Sequence, residues 1–328
     1  MRRLLLALLL TAIAGSVSAQ TLALLPGEKT RQPVVIGEQH AWQIPKRVAA
    51  DTCTPDCPED VFPGVEHFWS LRAFNTSWFG QTILTVRRAS DSTTANIVAL
   101  AASGGSLDVA TAATFCAATT CFATFVADQK GAVHCDTATT VCNWASPTTG
   151  QEPQLIFNCN GAMPCLRGTM AAISCLRSTE DATIHAQPLT YSNVVKMTWN
   201  GTTNLAVMGS GTITSNPSLR VGTSSGTVRV NAGTNLTQSH TDATWASWQA
   251  VFNGVSSVSR MNSAEVTGNA GANAAGSGGR WFMNGNAACS GATSSADMDW
   301  METSQLNVGA DATQRAAIET NQRAWAGF

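Results

Sequence analysis

Three carboxylates stand close together near the C-terminus, in the run Asp297-Met-Asp-Trp-Met-Glu302. Two carboxyl groups that face each other can act as a general acid and a general base. If the run is a β-strand, alternation places Asp297 and Asp299 on one face, with α-carbons about 6 to 7 Å apart, and Glu302 on the opposite face. Asp297 and Asp299 are therefore the candidate catalytic residues. A solvated strand face or a calcium-type carboxylate pair would produce the same pattern.

Other chemistry is not indicated by residue spacing. The five histidines are scattered along the chain rather than clustered at ligand spacing: His40, His67, His134, His185 and His240. Zinc sites need closely spaced Cys and His ligands, and serine hydrolases need a nucleophile elbow, which the chain lacks. We expect no metal and no cofactor. Trp281 could stack on a sugar ring, and so could Trp300, although burial in a β-sandwich explains both equally well.

Charge and the N-terminal segment limit the partners and the compartment. The formal net charge is −2 with 12% charged residues, so no basic patch indicates nucleic acid or anionic lipid as a partner.

The N-terminus has the pattern of a signal peptide over residues 1–19: Arg2-Arg3, then the apolar run Leu4 to Ala14, then small residues before Gln20. No later apolar run is long enough for a membrane span. The protein is therefore expected to be secreted, to the periplasm or the extracellular space.

Cysteines are even in number, ten in an exported chain, which predicts disulfides. Short spacings suit local loops for Cys53 with Cys57, Cys116 with Cys121, Cys135 with Cys142 and Cys159 with Cys165. Cys175 then has Cys289 as its remaining partner. Ten cysteines permit very many other connectivities, so sequence alone leaves the pairing open.

Hydrophobic periodicity predicts an all-β fold. Strands with period two recur at short intervals between Asn-Gly and Gly-rich turns, as in Thr82 to Arg88 and Trp245 to Phe252, which is typical of an antiparallel sandwich. A short helix is expected after Asp108 and a terminal helix after Asp311, because both aspartates can cap. We predict an extended N-terminal arm over residues 20–67 and one domain over residues 68–328.

Several motifs resemble a known family. They include Arg88-Ala-Ser-Asp91, Thr114-Phe-Cys116 with Cys121, and Asp128-Gln129. Together with AVFNG at 250–254 and the AAIETNQRAW ending, they resemble the catalytic domain of α-L-arabinofuranosidase B and the wider concanavalin A-like domains. The resemblance implies a jelly-roll β-sandwich and, for the enzymes, retaining hydrolysis of arabinofuranosyl side chains by two carboxylates about 5 to 5.5 Å apart.

Both catalytic carboxylates of that family are unmatched here. In the family, the nucleophile lies on a strand in the second half of the domain, and the comparable segment here reads Asn204-Leu-Ala-Val-Met-Gly209. The general acid of the family lies in a loop before the last strand, and the comparable loop here is Asn284-Gly-Asn286-Ala-Ala. The paired adjacent cysteines of the enzymes' sugar site are also missing. The candidate ligand-binding residues are the asparagines of the compared strand and loop, together with one aromatic residue: Asn204, Asn284, Asn286 and Trp281.

Two functions follow from these observations. The first is a secreted carbohydrate-active protein, a glycoside hydrolase by resemblance, that hydrolyses or binds arabinofuranosyl-containing polysaccharide. The alternative is a non-catalytic structural or adhesion module at the cell surface. The family resemblance favours the first function, whereas the missing carboxylates leave its catalytic activity undecided. The expected partner is a glycan, and the sequence does not determine the oligomeric state.

Overall fold

The computed structural model describes residues 53, 55–130, 142–181, 183–199, 201, 206–211, 216–222, 224–276, 279–285, 289 and 296–328. Residues from Val48 onward form one compact unit. The predicted signal segment, 1–19, and most of the predicted arm, 20–67, lie outside the described residues. None of the helices in the described part of the chain has the length and apolarity needed to cross a bilayer.

The described part of the chain folds into short strands, with one α-helix before the first strand, one between the early strands and one at the C-terminus. The helices are α1 (Pro58–Val61), α2 (Val109–Phe115) and α3 (Ala312–Ala326). The strands are β1 (Val65–Ser70), β2 (Thr82–Arg88), β3 (Thr94–Val98), β4 (Cys121–Val126), β5 (Trp144–Ala145), β6 (Gln154–Asn160), β7 (Met163–Gly168), β8 (Leu176–Asp181), β9 (Ile184–His185), β10 (Leu189–Thr198), β11 (Ala206–Ser210), β12 (Ser218–Val221), β13 (Thr227–Asn231), β14 (Asn235–Ser239), β15 (Trp245–Phe252), β16 (Ser257–Met261), β17 (Ala264–Gly268), β18 (Ala275–Gly276), β19 (Gly279–Met283) and β20 (Asp297–Leu306).

Antiparallel pairing arranges most strands in two layers. The first layer has the order β3-β2-β4-β5-β8-β19-β11-β12-β13-β14. In the second layer β1 and β7 lie along one edge of β20, and β10, β15, β16 and β17 follow on its other side. Side chains of both layers meet in one apolar core that includes Trp144, Trp281, Trp248 and Trp300. The predicted all-β sandwich is therefore confirmed.

Each position of the first layer belongs to one of two faces, because directly paired residues of antiparallel strands project to the same side. The inner face is apolar and buried, with Leu84, Val126, Trp144, Leu176, Met283, Met208, Leu219, Val230 and Leu236. A second row of paired positions forms what we call the outer face: Asn96, Thr85, Phe125, Ala145, Arg177, Phe282, Gly209, Ser218, Asn231 and Asn235.

Both predicted helices form as their caps suggest. The Asp108 side chain accepts from the Thr111 backbone N–H, and Asp311 with Gln314 makes a complete capping box at the start of α3. Helix α3 packs outside the second layer, where Ile318 joins Phe62, Phe68 and Leu306 in a small apolar cluster. The terminal helix therefore closes the side of the second layer that faces away from the core.

Four predicted disulfides are present: Cys53–Cys57, Cys116–Cys121, Cys159–Cys165 and Cys175–Cys289. Cys142 is also disulfide-bonded, and its predicted partner Cys135 lies outside the described residues. The bond between Cys175 and Cys289 joins positions 114 residues apart. It therefore ties the end of the β7–β8 connection to the loop before β20.

Candidate functional site

The predicted catalytic pair lies in a small cleft of about 210 Å³. Asp299 is directly opposite Arg167 on β7 and Lys196 on β10. Its carboxylate accepts from Arg167 Nε at 2.6 Å and Nη2 at 3.0 Å, and it lies 2.7 Å from Lys196 Nζ. Asp297 accepts from the backbone N–H of Met170 at 2.8 Å. Both aspartates line the cleft, as alternation predicts, but Asp299 is held between two cations.

Glu302 lies on the same side of β20 as Asp299, and the prediction of the opposite face is wrong. The register of β20 against β10 shifts between Val194 and Val195, so Met301 is an additional residue in β20. Trp300 and Met301 are consecutive and both buried in the core. A bulge of this kind reverses the alternation that follows it. Glu302 therefore faces α3, where it pairs with Arg72 at 2.6 Å and accepts from Gln322.

A larger groove of about 790 Å³ opens at the β3-β2-β4 end of the first layer. It combines aromatic side chains with amides: Phe74, Asn75, Ser77, Trp78, Thr82, Thr85, Asn96, Phe125, Ala127, Asp128, Gln129, Lys130 and Asn143 line it. Thr85, Asn96 and Phe125 belong to the outer face, so the groove continues that face. Trp78 and Phe125 are half-buried and present ring surface to the groove.

Hydrogen bonds fix the floor of the groove. Asp128 accepts from the backbone N–H groups of Phe68 and Lys130 and from His67 Nδ1. Gln129 accepts from Phe74 N and donates to the backbone of Ser70 and Arg72. These groups are therefore structural. Among the described residues, nothing accepts from Nδ2 of Asn96 or Asn143, so these two amides can donate to a ligand.

Below the groove floor, a charged cluster is enclosed between the two layers. His67 lies 2.8 Å from Asp128 and 3.8 Å from Asp181, and His185 Nε2 lies 2.7 Å from Asp181. Burial alone would lower the pKa of His67, but the charges and hydrogen bonds of the two aspartates raise it to about 9. Burial would raise the pKa of Asp181, but hydrogen bonds from His185, His67, Thr183 and Trp281 lower it. The cluster is thus an internal ion-pair network.

Metal binding is not needed to explain that cluster. His67, Asp181 and His185 do bring three possible donor atoms within 4.8 Å of one another. Oδ2 of Asp181, however, is already occupied, because it accepts from Trp281 Nε1 at 2.9 Å and lies within hydrogen-bond distance of His185. The other two sets contain Cys142 or the pair Cys159 and Cys165, which are disulfide-bonded and cannot act as thiolates.

The candidate ligand-binding residues are placed apart from the groove. Trp281 is fully buried, because alternation along β19 directs it, like Met283, into the core. It has no ring face open to a sugar, so burial is the interpretation that the structure supports for it and for Trp300. Asn284 is buried as well and accepts from the Ala296 backbone N–H at 2.6 Å. Asn204 and Asn286 lie outside the described residues.

Comparison with known families confirms the resemblance read from the sequence. Residues 60–159 match the family model described as alpha-L-arabinofuranosidase B, catalytic. Every residue that lines the groove lies in this matched segment. No curated protein matches the chain at a significant level.

Solved structures share the fold at low identity. A GH54 α-L-arabinofuranosidase soaked with a cyclic sulfate inhibitor is 15% identical, with a TM-score of 0.61 over 79% of this chain and 62% of that chain. An arabinofuranosidase complexed with arabinofuranosyl-alpha-1,2-xylobiose is 14% identical, with a TM-score of 0.59 over 79% and 62%. This chain therefore spans less than two thirds of those proteins, and the likeness shows the sandwich fold.

Proposed function

From the match of residues 60–159 to the arabinofuranosidase B catalytic domain, we propose that this protein binds an arabinofuranosyl-containing polysaccharide without hydrolysing it. The groove beside Trp78 is the proposed binding site. The observation that carries the proposal is the groove itself, because it joins aromatic rings to unoccupied amide donors and lies entirely within the matched segment. Sugars bind proteins through these two kinds of contact, stacking on rings and hydrogen bonding to amides.

The placement of the acids supports binding rather than hydrolysis. Strand β11, which the sequence resemblance compares with the family's nucleophile strand, contains no carboxylate among Ala206–Ser210. Asp299 is engaged by Arg167 and Lys196, whereas a retaining or inverting glycosidase needs one carboxyl group that keeps a proton to deliver. Cross-strand pairs of this kind stabilise a sheet. The ion pairs of Asp299 with Arg167 and Lys196 therefore have a structural role in the sheet.

Affinity electrophoresis in gels that contain neutral arabinoxylan tests the binding site. We expect retardation of the wild-type protein, loss of retardation in Trp78→Ala and partial recovery in Trp78→Phe, which keeps a ring. Val255→Ala is the matched control, because Val255 is 75% exposed and does not line the groove. Equal migration of the wild-type protein with and without arabinoxylan would contradict the proposal, and so would full retardation of a folded Trp78→Ala protein.

A second candidate function is hydrolysis by Asp297 and Asp299, and it is favoured by their position in one cleft. Release of 4-nitrophenol from 4-nitrophenyl α-L-arabinofuranoside measures it directly. Turnover that disappears in both Asp297→Asn and Asp299→Asn would establish the enzyme and replace the binding proposal. Turnover that survives both substitutions would exclude these aspartates as its acid and base.

We also propose export from the cell, supported by the signal-type N-terminus and by the disulfides. N-terminal sequencing of protein recovered from the periplasm and the medium checks this, with Gln20 as the expected first residue. A mature protein that still begins at Met1 would contradict it. If neither binding nor turnover is found, the structural or adhesion module is the remaining function.

A further inference from the structure

The groove beside Trp78 is lined by a single pair of charged residues. Among its described lining residues, only Asp128 and Lys130 carry a charge at neutral pH. Asp128 is buried in the floor, where it faces His67, whereas Lys130 is exposed. The two charges therefore lie in different surroundings, and only that of Lys130 is directly accessible to a ligand.

The charge of Asp128 is balanced from below the groove. One oxygen of its carboxylate lies 2.8 Å from His67 Nδ1, and the other accepts from the backbone N–H groups of Phe68 and Lys130. Although burial opposes it, the charges and hydrogen bonds of two aspartates raise the pKa of His67 to about 9, so the imidazole is charged at neutral pH. Asp128 is thus neutralised inside the sandwich, and the groove keeps the positive charge of Lys130.

The ammonium group of Lys130 has an aromatic partner instead of an acidic one. Its Nζ lies over the Phe74 ring, 5.4 Å from the ring centre, a cation–π contact that favours this position beside the groove. Within the described ranges of the chain, no carboxylate forms an ion pair with it. Lys196, the other described lysine, lies by contrast 2.7 Å from Asp299. The Lys130 ammonium can therefore form an ion pair with a ligand.

Asn143 adds an oriented hydrogen-bond donor to the same groove. Its Oδ1 accepts from the backbone N–H of Asp128 at 2.8 Å. A backbone N–H can only donate, so the amide atom that faces it is the oxygen, and Nδ2 points away from it. Asp128 also accepts from the backbone N–H of Lys130. One residue of the floor therefore positions both the Asn143 amide and the Lys130 backbone, and both side chains line the groove.

We propose that Lys130 and Asn143 bind a carboxylate of the polysaccharide, so that the groove prefers a uronate-bearing arabinofuranosyl glycan to a neutral one. A carboxylate has two acceptor oxygens, one for the ammonium group and one for the amide N–H. Such charge-assisted hydrogen bonds are about twice as strong as those of a neutral hydroxyl. The inference rests on the proposed function, because the same glycan would stack on Trp78.

Titration with three glycan preparations tests the inference: a uronate-bearing arabinoxylan, the same material with its uronates converted to methyl esters, and the same material after carboxyl reduction. We expect the wild-type protein to bind the acidic form roughly fivefold or more tightly than either neutral form. Sodium chloride at about 1 M should reduce this preference, because it shortens the Debye length to about 3 Å. Equal affinity for all three would overturn the inference and leave the proposed function standing. Equal affinity for the acid and the ester would overturn the role of the Lys130 charge.

Variants make the test specific to the two donors. Lys130→Gln should remove most of the preference for the acidic form, and Lys130→Arg should keep it. Asn143→Asp retains an acceptor for the Asp128 N–H but replaces the amide donor by a carboxylate oxygen, so it should remove the preference as well. Arg323→Gln is the matched control, because this side chain is 41% exposed and also lies over a ring, that of Phe328, but does not line the groove.

The outcomes distinguish the carboxylate site from the proposed function. An unchanged preference in Lys130→Gln would refute the assignment, and so would an equal loss in Arg323→Gln. Binding of the acidic form alone, abolished in Lys130→Gln, would contradict the proposed binding of neutral arabinoxylan and retain the carboxylate site. A wild-type protein that binds none of the three preparations would refute both.

Discussion

Two charged regions of this sandwich differ in how their charges are balanced. In the cleft at Asp299, the carboxylate is directly opposite Arg167 and Lys196 on the neighbouring strands, and each of the two cations lies within 3 Å of it. On the outer face, Arg220 is directly opposite another arginine and hydrogen-bonds to neutral groups. The first region is complete as it stands. In the second, the Arg220 guanidinium has only neutral hydrogen-bond partners among the described residues.

The difference shows that a dense group of acids is a poor guide to function when cross-strand partners are unknown. Asp297, Asp299 and Glu302 are the most conspicuous carboxylates of the sequence, yet Asp299 and Glu302 form ion pairs within the sandwich. The following predictions test whether the ion-paired groups contribute more to stability than Arg220, whose described partners are neutral.

The largest expected effect is at Glu302, which is fully buried against Arg72 and Gln322. Glu302→Gln leaves the Arg72 guanidinium without its anion, so we expect the free energy of unfolding to fall by about 4 kcal/mol. Denaturant unfolding measures this change. Asp91→Asn is the control, since Asp91 is exposed and should alter stability little. A change in Glu302→Gln no larger than that of the control would contradict the balanced-pair interpretation.

The enclosed His67 cluster should make stability depend on pH. In the folded protein the pKa of His67 is about 9, above the ordinary value of 6.5. The contribution of His67 to the free energy of unfolding is therefore complete below pH 6.5 and is lost as the pH rises through 9. The shift corresponds to roughly 3 kcal/mol. Unfolding curves between pH 6 and pH 10 should show this decline in the wild-type protein and a much flatter profile in His67→Gln. Parallel profiles of the two proteins would show that His67 is not the titrating group.

A smaller effect is expected in the cleft itself. Asp299→Asn removes the carboxylate from Arg167 and Lys196, but both cations remain partly accessible to water, at 42% and 23% side-chain exposure. We expect a loss of about 2 kcal/mol in the free energy of unfolding, with glycan affinity unchanged. Thermal unfolding and affinity electrophoresis of the same sample check both parts. A stable variant with reduced glycan affinity would assign the cleft to the binding site.

The smallest change in stability is expected for Arg220→Met. Replacement of a buried cation by an apolar side chain of similar length removes a desolvation cost, so stability should stay within about 1 kcal/mol of the wild-type value or increase. Denaturant unfolding of the ligand-free protein measures it. A loss of several kcal/mol would show that Arg220 is balanced within the fold, and the outer face would then resemble the cleft.

Much of the fold follows from the sequence because the relevant signals are local. Alternation alone predicts β2 and β15 with the bounds that the structure has, and Asp311 with Gln314 marks the start of α3. Short cysteine spacings likewise give the pairs Cys116–Cys121 and Cys159–Cys165. In each case the contacts that decide the structure lie within a few residues of one another.

The candidate site is harder to predict because its contacts are distant in sequence. Asp128 meets His67 across 61 residues, and Arg167 meets Asp299 across 132. The bulge at Met301 leaves no mark in the alternation of β20, so Glu302 could not be placed correctly. One signal was available in the sequence: residues 182–241 contain Arg220 and Arg229 but no aspartate or glutamate, so any carboxylate beside these arginines must come from another part of the chain.

Isothermal titration of neutral arabinoxylan into the wild-type protein, Asp299→Asn and Trp78→Ala tests the proposed binding site most directly. We predict that Asp299→Asn binds as the wild-type protein does, that Trp78→Ala loses roughly tenfold or more in affinity, and that none of the three releases arabinose. The opposite result, a folded Asp299→Asn that no longer binds beside a Trp78→Ala that binds normally, would place the functional site in the acidic cleft and contradict this account.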